Sequence, residues 1–357
     1  MRPLVLLLVT VLLSISTYRL APAQLGGSPI PESTSASHPA GLPGYDHIVI
    51  VVEENKDYDE VIGSAAAPYI NTVLKAEGAN FTRMYGEEHY SQGNYFWLFS
   101  GSNQSVGFHD QVPTTLFMSR NLGEQLITKC KPTQPYTQCL SFKGYAEDLP
   151  SIGSTVDAVQ KDGCNQDCMI YGRKHVPWIS FANVPNGRAV ETSSDLRFED
   201  FPRDFSQLPT VAFVIPNLEN DMHNGSVIPD MVRRGDDWLR TRIDPYYQWA
   251  KSHNSLLILT IDENNDKRKY VGLTNPAVNV TDEYTKDLQN RTVTIFAGAH
   301  IKPGDYEERP AGINHVTILR TIEAMYGLSR SGAQQPNAAA AGIGDEQIIT
   351  DVFVMPP

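Results

Sequence analysis

The stretch Tyr45-Asp-His-Ile-Val-Ile-Val-Val-Glu-Glu-Asn-Lys56 decides the fold. Ile48 to Val52 is apolar at every position, with no alternation between faces. A strand covered by helices on both sides has this pattern, so the run predicts a central strand of a parallel sheet. Glu53, Glu54 and Asn55 stand at its carboxyl end. In open α/β sheets that edge is where loops diverge and ligands bind. Ser255 to Ile261 repeats the organisation, a second buried run closing in Asp262-Glu263-Asn264-Asn265-Asp266.

Outward from these two strands the chain alternates. Ala67 to Glu77 has helical spacing and stops at Gly78, and Ala79 to Met84 follows as a strand. Thr210 to Ile215 is another strand, and Asp230 to Lys251 is largely helical with Pro245 as an expected break or kink. Arg291 to Ala297 is a further strand, and Asn314 to Gly327 makes a helix with Asn314 as cap and Gly327 as terminator. Between Gln104 and Asp200 the chain is irregular, with Phe142 to Glu147 as one strand, and forms loops that wall the site. All four cysteines fall there. Cys130 with Cys139 and Cys164 with Cys168 is the simplest disulfide pairing, and zinc is the rival use, though the spacings match no usual finger.

The N-terminus carries Arg2, the apolar run Leu4 to Ile15 and the small-residue site Ala21-Pro22-Ala23. This predicts a signal peptide over residues 1–23 and export to a periplasm or the medium. The apolar run is shorter than the roughly 20 residues of a membrane helix, so no stable anchor is expected after cleavage. Residues 24–44 are a linker, residues 45–330 the main domain with its insertion at about 104–200, and residues 331–357 a tail. A formal net charge of −12 argues against a nucleic-acid partner, which needs a basic footprint. An acidic protein that handles anionic substrates needs a local positive centre, and a metal ion supplies one.

If the two apolar strands are neighbours, Glu54, Asn55, Asp262 and Glu263 converge. Like charges held that close repel unless a cation lies between them. An all-oxygen set suits magnesium, calcium or manganese, with zinc also compatible. Ser91 lies where a helix begins, as an N-cap or as a hydroxyl that the helix N-terminus helps to ionise beside a phosphate. His223 and His315 lie in loops at the site edge, suited to holding phosphate oxygens or protonating a leaving alkoxide. His109 and His175 have no ligand-like spacing and are expected to be structural or on the surface.

Five motifs then occur in register: Val52 to Asp59, His89 to Gly101, Val214 to His223, Leu259 to Glu263, and Phe296 to Gly304 followed by Asn314-His315. Together they resemble the phosphoesterase family of acid phosphatases and phospholipases C. The resemblance implies an α/β, alkaline-phosphatase-like three-layer sandwich with a mostly parallel central sheet and a loop-rich, disulfide-containing insertion. It also implies a metal-assisted phosphoester hydrolase acting on small phosphorylated substrates. Carried over by motif, Glu54, Asn55, Asp262 and Glu263 become ligands of a divalent metal ion, Ser91 the nucleophile and Asn94 the asparagine beside the phosphate. Asp221, His223 and His315 would line the phosphate pocket. The family commonly has a proline turn after the nucleophile; here Ser91-Gln92-Gly93-Asn94 stands instead, and Gly93 is expected to give the turn. Phospholipase C relatives tend to carry an aspartate-histidine motif soon after the aspartate-glutamate pair, whereas here the histidine arrives only at His315. The acid phosphatase branch is therefore expected, with phospholipase C or a noncatalytic binding protein as alternatives.

Overall fold

A computed structural model describes residues 42–106, 109–133, 136–163, 168–265, 290–308, 311–332 and 343–354. The expected signal peptide, most of the linker, Cys164 and Asp266 lie outside the described residues.

The two apolar runs are neighbouring strands. His47–Glu53 pairs in parallel with Ser255–Ile261, with Glu53 opposite Ile261, and on its other side with Val211–Ile215. Across the main sheet the order is Gly304–Tyr306, Ala79–Phe81, Thr294–Gly298, Ser255–Ile261, His47–Glu53, Val211–Ile215, Phe142–Ala146 and Asp195–Arg197. Every pairing from Ser255–Ile261 to Asp195–Arg197 is parallel. Thr294–Gly298 reverses direction against Ser255–Ile261, and Ala79–Phe81 reverses again. The sheet is therefore mostly parallel with a mixed edge.

Strand alternation divides the core into two layers, because successive side chains point to opposite faces. Ile48, Ile50 and Val52 pack with Tyr95, Phe96 and Phe99 of the helix Ser91–Ser100 and with Ile318, Leu319 and Ile322 of the helix His315–Met325. Val49 and Val51 pack on the other face with Ile70, Leu74, Val232, Leu239 and Tyr246. Helices cover both faces, and this is why the two central runs are apolar throughout.

Three details depart from the sequence pattern. Pro245 does not break its helix: Ile228–Trp238 passes through a π turn at Leu239–Ile243 into Asp244–Ala250, with Pro245 in the first turn of that last segment. The wide turn takes up the missing N–H. The loop-rich stretch contributes not only the expected strand Phe142–Ala146 but also Asp195–Arg197, which the pattern did not mark, to the main sheet. The final segment folds back, burying Ile349 and Val352 and pairing Phe353 with Ile301.

Cys130 and Cys139 form a disulfide across the hairpin Cys130–Thr133 and Tyr136–Cys139. Cys168 is also disulfide-bonded. Bonded sulfurs offer no thiolate, so the zinc alternative for these cysteines falls away. Among the described residues no helix is long and apolar enough to cross a membrane.

Ile50 is fully buried in the central strand. Replacing it by Ala removes side-chain contacts on the helix-covered face and leaves a cavity, so Ile50→Ala is expected to cost about 2–5 kcal/mol in urea unfolding. A loss below about 1 kcal/mol would contradict the central position of this strand.

Candidate active site

The parallel register sets the site. With Glu53 opposite Ile261, the next residues of both strands, Glu54 and Asp262, leave the sheet side by side. The Asp262 N–H donates to the Glu53 carbonyl at 3.1 Å, and the Asn55 N–H donates to Asp262 Oδ1 at 3.1 Å. The Glu54 N–H donates to the carbonyl of Asp221, at the end of the neighbouring Val211–Ile215 strand, at 2.7 Å. Three carboxylates from three adjacent strand ends thus meet, and all three are buried.

Ser91 enters from the helix Ser91–Ser100. Its hydroxyl donates to Glu54 Oε2 at 2.9 Å. Four residues along, on the same helix face, the Tyr95 hydroxyl donates to Glu54 Oε1 at 2.5 Å. Tyr95 stacks on His175, with ring centroids 5.0 Å apart. His175 Nε2 lies 3.4 Å from Glu54 Oε1, and its Nδ1 lies 3.9 Å from Asp221 Oδ2. Asn55, Tyr90 and Met222, next to Glu54, Ser91 and Asp221 in sequence, have φ of 50°, 80° and 73°. Left-handed backbone in non-glycine residues costs free energy and concentrates at functional sites.

Electrostatics follow from this crowding. Burial, then the Asp221 charge, pushes the Glu54 carboxyl up to about 8. Burial likewise raises Asp221 well above the carboxylate range, and burial with the Glu54 and Glu263 charges does the same to Asp262. Burial, then Lys174 and His223, holds the His175 ring well below its ordinary value. Asn55 Oδ1, Asp221 Oδ2, Asp262 Oδ2 and both nitrogens of His175 are buried without a hydrogen bond. Carboxylate and amide oxygens and one imidazole lone pair gathered without donors are what a cation satisfies. Glu54, His175 and Asp221 bring one ligand atom each within 4.8 Å of one another and could hold a metal ion.

The expected site residues divide. Glu54, Asn55, Asp262 and Ser91 come together, with Asp221 beside them. His223 is partly buried at the rim, its ring centroid 6.2 Å from that of His175 and its N–H on Asp221 Oδ1. Glu263, expected as a ligand, turns Oε2 to His89 Nδ1 at 2.7 Å and to the Tyr90 N–H at 2.9 Å, fixing the turn that delivers Ser91. Asn94, expected beside the phosphate, uses both ends of its amide on the Glu88 backbone.

His315 is the largest departure from expectation. Its Nδ1 lies 2.6 Å from Glu87 Oε2 and its Nε2 3.2 Å from the Ile261 carbonyl. Both nitrogens face acceptors, which requires the doubly protonated ring. Burial opposes that charge, but Glu87 and Asp262 outweigh it and raise the pKa. The ring therefore braces the end of the Ser255–Ile261 strand and has no nitrogen turned to a phosphate. Gly93 is likewise not a turn residue. It lies inside the helix, where a Cβ would come within 1.8 Å of Glu88 Oε1, a carboxylate tied to Asn103 by two hydrogen bonds.

Sequence reasoning missed His175, Tyr95 and Lys174. His175 sits in the 3₁₀ turn Arg173–His175, remote in sequence from every strand end that carries a carboxylate. Stacking on Tyr95 of the helix Ser91–Ser100 brings it in.

The chain matches the model of the phosphoesterase family over residues 66–329 and belongs to that family. It is a phosphoric ester hydrolase. It is 38% identical over 293 residues to a Mycobacterium tuberculosis phosphatidylinositol-3-phosphatase, covering 82% of this chain and 81% of that protein. It is 27% identical to a probable acid phosphatase of Kluyveromyces lactis and 26% identical to an acid phosphatase of Aspergillus fumigatus. It spans only 61% and 54% of those two proteins, and they match 82% and 78% of this chain. Among solved structures, a Vibrio parahaemolyticus protein of the alkaline phosphatase superfamily superposes with a TM-score of 0.50 at 14% identity, covering 82% of this chain and 71% of that one. The fold is alkaline-phosphatase-like.

The raised carboxyls set a pH dependence. With a folded pKa above the unfolded one, the native state holds more protons between the two values, so stability falls as pH rises through that window. His175 opposes this only below its ordinary value of 6.5, where the unfolded ring gains a proton that the buried one refuses. Chelator-treated protein is therefore expected to lose thermal stability between pH 6.5 and about 8, the latter being the Glu54 value. A melting temperature that is flat or rising over that range would contradict the placement of these carboxylates.

Proposed function

We propose that the protein is an exported, metal-dependent phosphomonoesterase in which Ser91 attacks phosphorus. The observation that carries this is the Ser91 hydroxyl at a helix N-terminus, 2.9 Å from Glu54 Oε2.

Glu54, Asn55 and Asp262 would hold a divalent ion, with His175 and Asp221 next to them. Such an ion, when bound, lowers the pKa of a neighbouring hydroxyl and neutralises phosphate oxygens. The chain's own residues do the rest. Glu54 Oε2 accepts the hydroxyl proton as Ser91 Oγ bonds to phosphorus and the ester oxygen departs with the bonding pair. The N-terminal dipole of the helix Ser91–Ser100 favours the anion gathered there. His223, at the rim, donates a proton to the leaving alkoxide. Water then cleaves the phosphoserine and releases phosphate. Tyr95 and Glu263 act by position, the first on Glu54 and the second on the Tyr90 backbone.

A finer reading of the substrate is an inositol-lipid phosphomonoester, supported by the relative at 38% identity named as a phosphatidylinositol-3-phosphatase. Export is supported by the apolar Leu4 to Ile15 stretch and by the Cys130–Cys139 disulfide, since such bonds persist in oxidising compartments.

Ser91→Ala is expected to lower kcat on p-nitrophenyl phosphate by at least about a thousandfold, while metal content by elemental analysis stays within error of wild type. Wild-type turnover in that variant would reject the nucleophile. Phosphate release from phosphatidylinositol 3-phosphate but not from phosphatidylcholine, with no phosphocholine formed, separates the monoesterase from a phospholipase C.

A further inference from the structure

We propose that Lys174 is a substrate-binding residue whose ammonium, tethered by Asp110, takes a non-bridging oxygen of the phosphoryl group next to Ser91; this rests on the phosphoryl-transfer role proposed for Ser91.

Lys174 immediately precedes His175 in the turn Arg173–His175. Its Nζ lies 2.8 Å from Asp110 Oδ2. The other oxygen of the same carboxylate accepts the N–H of Gln92, the residue after Ser91, at 3.2 Å. Asp110 therefore ties the ammonium to the N-terminus of the nucleophile's helix. The loop that carries Asp110 is itself pinned there, because Gln92 Nε2 donates to the Gln111 carbonyl at 2.9 Å.

An ammonium has three donors, and among the described residues Asp110 takes the one hydrogen bond that Lys174 makes. Two remain to be directed at a ligand. Burial works against its charge, yet Asp110, Glu54 and Asp262 outweigh burial and hold its pKa above the ordinary lysine value. Lys56, a second cation close to the carboxylates among the described residues, is sealed at 0% exposure with its Nζ on the Asn55 carbonyl. It can balance charge but cannot reach a substrate. The Lys174 side chain, by contrast, is 13% exposed. A phosphate dianion held beside Asp221, Asp262 and Glu54 needs a cation that reaches it as well as any ion the carboxylates hold, and Lys174, tied to the residue after Ser91 through Asp110, is positioned to supply it.

Isothermal calorimetry of inorganic phosphate binding to the full chain, purified with its metal, tests this without turnover. Lys174→Met is expected to weaken phosphate at least about tenfold, with metal content unchanged, and to raise KM for p-nitrophenyl phosphate more than it lowers kcat. Lys174→Arg keeps the charge and is expected to recover most of the affinity. Phosphate bound equally well by Lys174→Met, or Lys174→Arg as weak as Lys174→Met, would overturn the proposal. Asp110→Asn leaves Lys174 in place and loosens its tether, so it serves if Lys174→Met does not fold. Weaker phosphate binding is expected there, and an unchanged constant overturns the proposal. A wild-type protein that binds phosphate through Lys174 but hydrolyses no ester would support this inference while rejecting the chemistry assigned to Ser91.

Discussion

Buried carboxylates repel one another, and this repulsion is the constraint around which the rest of the molecule is arranged. Glu54, Asp221 and Asp262 are each at or below 1% exposure. Water cannot screen them there, so their charges are tolerable only through protonation or through positive charge held among them. Lys56 and Lys174 supply part of that charge. Asp221 Oδ2 and Asp262 Oδ2 are buried without a hydrogen bond.

The sheet makes the crowding unavoidable. Three parallel strands in the order Ser255–Ile261, His47–Glu53 and Val211–Ile215 end at the same edge, and each is followed within a few residues by an acid. Hydrogen bonds from main-chain N–H groups join these ends: Asp262 to the Glu53 carbonyl, Glu54 to the Asp221 carbonyl and Asn55 to the Asp262 carboxylate. Hydrophobic burial on both faces of the sheet fixes the register, so the strand ends cannot move apart without exposing the core. Folding free energy from the apolar layers thus offsets the electrostatic cost of the site. The helix Ser91–Ser100 belongs to one of those layers through Tyr95, Phe96 and Phe99, and the same packing holds Ser91 against Glu54.

The sheet and half of the site were legible because both rest on local pattern. Continuous apolar runs at Ile48 to Val52 and Ser255 to Ile261 can be satisfied only between two covering layers, and polar residues at their ends can go only to the sheet edge. That argument brings Glu54 and Asp262 together before any coordinate is known. It cannot find His175 or Lys174, since a three-residue 3₁₀ turn carries no periodicity and its place depends on packing against the helix Ser91–Ser100. Nor can it assign partners. His315 beside a strand end looks like a catalytic histidine until Glu87, more than two hundred residues away, is seen to take its Nδ1. Gly93 looks like a turn because glycine commonly is one, whereas here it makes room for Glu88 within a helix. Side-chain pairing between distant segments is where a single sequence stops being informative.

The central claim is that acids from separate strand ends share one cation beside the Ser91 hydroxyl. Anomalous diffraction at the manganese edge, from crystals of the full chain grown with manganese, tests it most directly. The account predicts a peak enclosed by Glu54, Asn55 and Asp262 and in contact with Ser91. Fully occupied manganese elsewhere in the crystal, with no peak at that position, would contradict it.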